Sequence, residues 1–149
     1  MPQPRLAVRA IIVEQDRLLL VNAYPGPDSD LWCAPGGGVE CHASLHDNLK
    51  REIHEETGLT ISVGPLVLVN EFHDPEGDFH QVELFFRCTI ETGAIDAAWS
   101  DPEGVVTARK WFTPDAMKAA WYKPDGLLDI AFGEPEGASY DPLEPILRP

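Results

Sequence analysis

Three observations predict an α/β fold, with helices packed around a mixed β-sheet. Apolar runs rich in β-branched residues recur along most of the chain, and only two segments carry clear helix signals. The 149 residues suit one domain with a proper core and contain no internal repeat. A composition of 44% apolar and 24% charged residues is that of an ordinary globular protein and argues against a disordered chain.

The elements follow in order. Residues 6–13 ("LAVRAIIV") and 17–21 ("RLLLV") flank Glu14, Gln15 and Asp16 and read as a hairpin. The Pro, Gly and Asp of residues 24–30 ("YPGPDSD") predict a loop. Residues 31–33 form a short strand ahead of the glycine loop "PGGG". Residues 44–57 predict a helix: Ser44 can cap it, Asp47 three residues on completes a capping-box pattern, and Gly58 suits its end. Leu45, Leu49 and Ile53 give this helix an apolar edge.

Residues 60–72 predict a strand with a break at Gly64-Pro65, followed by a turn over 73–78. Residues 81–90 and 105–112 predict two further strands. Thr113 with Pro114 behind it starts a second helix, predicted to reach residue 121. The composition changes at Pro124, so residues 1–123 read as the body of the domain and 124–149 as its Pro-, Gly- and acid-rich extension. That extension is a candidate to wrap the surface, to be mobile, or to reach a neighbouring subunit, which would make a homodimer.

A formal net charge of -14 disfavours nucleic-acid backbones and anionic membranes as partners. There is no apolar run of about 18 residues that would span a membrane. The opening "MPQPRLAVRAIIV" lacks the pattern of a secretion signal. Three cysteines (Cys33, Cys41, Cys88) without CxxC spacing predict a reducing, cytoplasmic setting. A phosphorylated small substrate can bind such a chain only where cations offset the charge.

The helix over 44–57 poses the central question, because it adds Glu52, Glu55 and Glu56 to an acidic chain. With Leu45 at zero and about 100° per residue, Glu52 falls near about -20°, Glu56 near about +20° and Glu55 near about -80°. The three carboxylates therefore overlap the apolar edge, while Lys50 and His54 point away. Glu52 and Glu56 are a like-charged pair one turn apart, which is unfavourable beside leucines. Helix geometry alone leaves three readings open: a solvated charged face, a pair in which one carboxyl is protonated, or a site where a hard divalent cation sits among the carboxylates. The glycines just upstream allow backbone to approach a ligand closely. Together, the two features suit a phosphate chain held by metal bridges.

Taken together, this stretch resembles the Nudix hydrolase signature. Gly37 opens it, and Arg51-Glu52-Ile53-His54-Glu55-Glu56-Thr57-Gly58-Leu59 matches its second half at every defined position. The flanks "LWCAPGGGVE" and "KWFTPDAM" also look like those of Nudix domains, and the resemblance spans about residues 5–121. One position departs: Ala43 stands where the signature has a Glu that usually pairs with the signature Arg. Glu40 is the nearby candidate to replace it. The further glutamate often found before the Trp-containing strand is also missing ahead of Trp111, with Glu103 and Glu83 the nearest carboxylates.

The resemblance implies an α/β/α sandwich and Mg²⁺-dependent hydrolysis of a pyrophosphate bond in a nucleoside diphosphate linked to another moiety, with Mn²⁺ as a substitute ion. It implies Glu52, Glu55 and Glu56 as metal-binding and catalytic carboxylates, with the general base taken as Glu52 or Glu55. The Gly36 carbonyl is a further candidate ligand, and Gly37, Gly38, Arg51 and Gly58 support the site. The alternative is a Nudix-fold nucleotide-binding or sensor module with weak or no catalysis. Tyr24, Trp32 and Phe79 are candidates to stack on a base. Cys33, Cys41, His42 and His46 match no familiar zinc spacing.

Overall fold

The computed structural model describes residues 3–26, 30–134 and 137–147. The centre of the predicted 24–30 loop and parts of the predicted 124–149 extension lie outside the described residues. Strands β1 (Arg5–Glu14), β2 (Arg17–Asn22), β3 (Leu31–Cys33) and β4 (Gly36–Gly38) precede helix α1 (Leu45–Thr57). Strands β5 (Thr60–His73), β6 (His80–Thr92) and β7 (Arg109–Phe112) follow. Helix α2 (Pro114–Lys118), strand β8 (Trp121–Tyr122), helix α3 (Leu127–Phe132) and strand β9 (Ser139–Pro145) complete the fold.

The strands form one mixed sheet in the order β8-β3-β2-β1-β6-β5-β9, with β4 on β1 and β7 on β2. β1 is the hub. It runs parallel to β6 from Arg5 to Ile12, antiparallel to β4 over Ala7–Arg9, and meets β2 only at Val13 and Glu14. Alternation along a strand sends successive side chains to opposite faces. Val8, Ala10 and Ile12 therefore join Leu49 and Ile53 of α1 in one core. Ile11 joins Met117, Leu127 and Ala131 of the α2–α3 side in the other. The expected α/β architecture, a mixed and curled sheet with helices on both sides, is the one found.

Helix α1 forms as its caps dictate. The Ser44 hydroxyl accepts from the Asp47 N–H at 3.0 Å, a bond worth about 1 kcal/mol, and Gly58 closes the helix at φ 78°. Leu49 and Ile53 are fully buried, each contributing roughly 1.5–3 kcal/mol. That exceeds the few tenths of a kcal/mol that like charges one turn apart cost.

Three expectations need correction, and the tail takes up regular structure. The glycine loop is a strand, paired with β1. Only Arg109–Phe112 of the predicted 105–112 strand joins the sheet, because Asn22 takes the preceding backbone. Its Nδ2 donates to the Val105 carbonyl at 2.9 Å, and its Oδ1 accepts from the Thr107 and Ala108 N–H groups at 2.9 and 3.0 Å. The second helix ends at Lys118, since Trp121 and Tyr122 pair with Leu31 and Trp32. The region after Pro124 supplies α3 and β9, and the latter adds to the sheet edge beside β5. Pro142 and Pro145 are tolerated there because β9 is an edge strand.

Candidate active site

Helix α1 turns its carboxylates inward. Glu52 is 9% exposed and Glu56 8%, whereas Lys50 and His54 face solvent. A solvated charged face is therefore excluded for Glu52 and Glu56. Glu55 is more exposed, its side chain 29% accessible, and it does not line the cleft that Glu52 and Glu56 share. The carboxylates of Glu52 and Glu56 meet β4 and help line a cleft of about 440 Å³ that also contains Asp101 and Glu103.

The glycines are there because no Cβ fits. At residue 36 a Cβ would stand 1.9 Å from the Val8 carbonyl oxygen of the neighbouring strand. At residue 37 it would stand 2.5 Å from the Glu52 carboxylate. The bare strand thus lets β4 lie flat on β1 and brings α1 against it. The Gly36 N–H donates to Glu56 Oε2 at 2.9 Å.

Arg51 ties the site together. It reaches Glu52 at 3.2 Å, Glu55 at 3.9 Å and Glu40 at 3.1 Å, and it donates to Asn48 Oδ1 at 3.0 Å. Glu40 therefore holds Arg51 where the signature glutamate is replaced by Ala43. The helix's last turn is anchored from outside: Trp99 donates to the Glu55 carbonyl at 2.8 Å, and Arg109 donates to the Glu56 carbonyl. Gly58 lies under the Trp99 ring. No pattern in the sequence marks Trp99, Asn22 or Arg109 for these roles.

Burial pushes the Glu56 carboxyl up to about 8. Nearby Arg9 and the Gly36 N–H pull it down, and Glu52 and Asp101 push it up. Burial also raises Glu52, offset in part by its bond to Arg51. Arg9, in turn, pairs with Glu83 at 2.5 Å, and Glu83 accepts from Asn70 and Gln81 at 2.9 and 3.1 Å. Cys33, at the junction of the clefts, is pushed up to about 12, chiefly by burial, so its thiol is no nucleophile at neutral pH.

Among the described residues no three His, Cys, Asp or Glu side chains converge closely enough to hold an ion as they stand. The donor set nevertheless fits a hard cation. Glu52 Oε2 and Glu56 Oε1 accept no hydrogen bond from the described residues, which leaves one oxygen of each for a ligand. All donors are oxygens, the set that Mg²⁺ and Mn²⁺ prefer.

A second cavity, of about 240 Å³, adjoins the first through Arg5, Arg9, Ala23 and Cys33. Tyr24 and Phe79 line it beside Phe72. Trp32 does not. It packs edge-on to Phe112 at 5.1 Å, against the core, so the aromatic candidates divide into two wall residues and one core residue. Pro145 at the end of β9, with Ile146 and Leu147 after it, lines this cavity, and the Tyr24 hydroxyl donates to the Leu147 carbonyl.

The NUDIX domain model matches residues 3–129. The chain belongs to the NUDIX domain family. Its relatives include an ADP-ribose pyrophosphatase of Methanocaldococcus jannaschii, 32% identical over 87% of this chain and 68% of the relative. Diphosphoinositol polyphosphate phosphohydrolase 2 of Rattus norvegicus is 31% identical over 70% of this chain and 55% of that protein. A NUDIX hydrolase structure from Nitrosomonas europaea superposes with a TM-score of 0.71 at 21% identity, covering 86% of each chain, and supports the fold. By family, this chain is a Nudix hydrolase, of the class that cleaves pyrophosphate bonds. Nudix hydrolases generally need a divalent metal. No described helix is long and apolar enough to cross a membrane.

Proposed function

We propose that this Nudix hydrolase cleaves the pyrophosphate bond of a nucleoside diphosphate linked to another moiety, with Mg²⁺ as its ion and Mn²⁺ as a substitute. The observation that carries the reading is the inward turn of Glu52 and Glu56 against the side-chain-free strand Gly36–Gly38, in a cleft that opens into an aromatic-walled cavity.

A bound divalent ion would lower the pKa of a water molecule and offset phosphate charge in the transition state. Glu52 and Glu56 would hold that ion with Glu55, and the Gly36 carbonyl is a further candidate ligand. Arg51 fixes the orientation of Glu52 and Glu55. Glu52 or Glu55 takes the proton from the attacking water. Glu103 lines the same cleft and supplies the carboxylate that the segment before Trp111 lacks. Tyr24 and Phe79 take the nucleoside face by stacking.

The chain's own tail lines the cavity through Ile146 and Leu147. The three free cysteines support a reducing, cytoplasmic setting.

A hydrolysis screen over nucleotide sugars, ADP-ribose, dinucleoside polyphosphates and nucleoside triphosphates tests the proposal. The expected result is Mg²⁺-dependent release of a nucleoside monophosphate or a comparable phosphate product from at least one class. Absence of turnover across the panel with both Mg²⁺ and Mn²⁺ contradicts it.

A further inference from the structure

We propose that Arg5 is the residue that binds the substrate's phosphate chain on the side away from the carboxylates. The inference rests on the hydrolase reading above and specifies the protein's own cation in that site.

A chain of net charge -14 must present positive charge wherever it accepts a diphosphate. Three cations line the second cavity: Arg5, Arg9 and Lys123. Two are already neutralised. Arg9 is paired with Glu83 at 2.5 Å, and Lys123 with Asp125 at 2.9 Å and Glu144 at 3.0 Å. Arg51, which contacts the cleft residues Glu40 and Glu52, is taken by those two and by Glu55. Arg5 forms no ion pair among the described residues. Its one hydrogen bond there is from Nη1 to the neutral Gln81 Oε1 at 2.9 Å.

Its placement suits the role. Arg5 lines both cavities, so it stands where a diphosphate would pass from the carboxylate cleft to the aromatic pocket. Its guanidinium lies over Gly38, where a Cβ would stand 2.4 Å from Nη2. The third glycine of the strand thus makes room for Arg5, as the second makes room for Glu52. Gln81 sits opposite Arg5 on β6 and fixes the guanidinium through Nη1, leaving Nη2 and Nε to offer a planar fork to phosphate oxygens.

The test compares wild type, Arg5→Gln, Arg5→Lys and Glu56→Gln for Mn²⁺ binding alone and for methylenediphosphonate binding with Mg²⁺ present. Water does not cleave the P–C–P bridge of this probe. Arg5→Gln should weaken methylenediphosphonate at least tenfold, leaving Mn²⁺ affinity and the melting temperature as in wild type. Arg5→Lys should recover part of the loss, because it keeps the charge but not the fork. Glu56→Gln should lose both ligands. Equal methylenediphosphonate affinity in wild type and Arg5→Gln, or no binding of it by a wild type that binds Mn²⁺, overturns the assignment of Arg5 and leaves the hydrolase reading standing. Failure of wild type to bind Mn²⁺ at all overturns both.

Discussion

The carboxylate of Glu52 lies so close to Gly37 that a single methyl group on residue 37 would overlap it at 2.5 Å. The fit couples strand β4 to helix α1 at the centre of the cleft. Gly37→Ala should therefore push Glu52 out of place and lower kcat by about a hundredfold, as a displacement of about 1 Å in an active site does. Steady-state kinetics beside a thermal melt check this. Wild-type kcat in a folded Gly37→Ala variant would show that the contact is unimportant.

The Arg51 network predicts two unequal effects. Its Glu40 partner is 73% exposed, so Glu40→Gln should cost less than about 1 kcal/mol in urea unfolding. Arg51→Ala removes the support of Glu52 and Glu55 together, and should lower activity by roughly 10- to 100-fold. Equal losses of activity in the two variants would contradict this division.

Burial of Glu56 sets a pH dependence. Its carboxyl is raised from an ordinary 4.5 to about 8, so the folded state binds this proton more tightly than the unfolded chain. Its contribution to stability is then fully present below about pH 4.5 and is lost as pH rises towards about 8. A divalent ion competes with that proton. The rise in melting temperature on adding Mg²⁺ should therefore grow between about pH 5 and about pH 8, and Glu56→Gln should flatten it. Melting scans across this range with and without Mg²⁺ provide the check.

The tail predicts a combined loss. Truncation before Ser139 removes β9 from the sheet edge and Leu147 from the cavity wall. The melting temperature should fall by about 4 °C or more, and KM should rise. A truncated chain with unchanged KM would show that the tail takes no part in the pocket.

Much of this site is legible in the sequence because it lies within one local segment. The cap at Ser44, the stop at Gly58 and the inward arc of Glu52 and Glu56 follow from helix periodicity over 13 residues. The strand character of Gly36–Gly38 is not legible, because three glycines have low β propensity and become a strand only by pairing with β1. Residues 105–108 look apolar enough for a strand, yet their backbone is claimed by Asn22, more than 80 residues away. The tail's prolines suggest a loop, but an edge strand tolerates them. Trp32 reads as a stacking candidate until Phe112 is seen against it. In each case a long-range partner decides what local composition leaves open.

The central claim is that the carboxylates of α1 hold a divalent ion, and Mn²⁺ titration followed by electron paramagnetic resonance tests it most directly. Wild type should bind Mn²⁺, while Glu52→Gln and Glu56→Gln, still folded by circular dichroism, should each weaken that binding and lose about a thousandfold in turnover. Unchanged Mn²⁺ binding in both folded variants would contradict the claim.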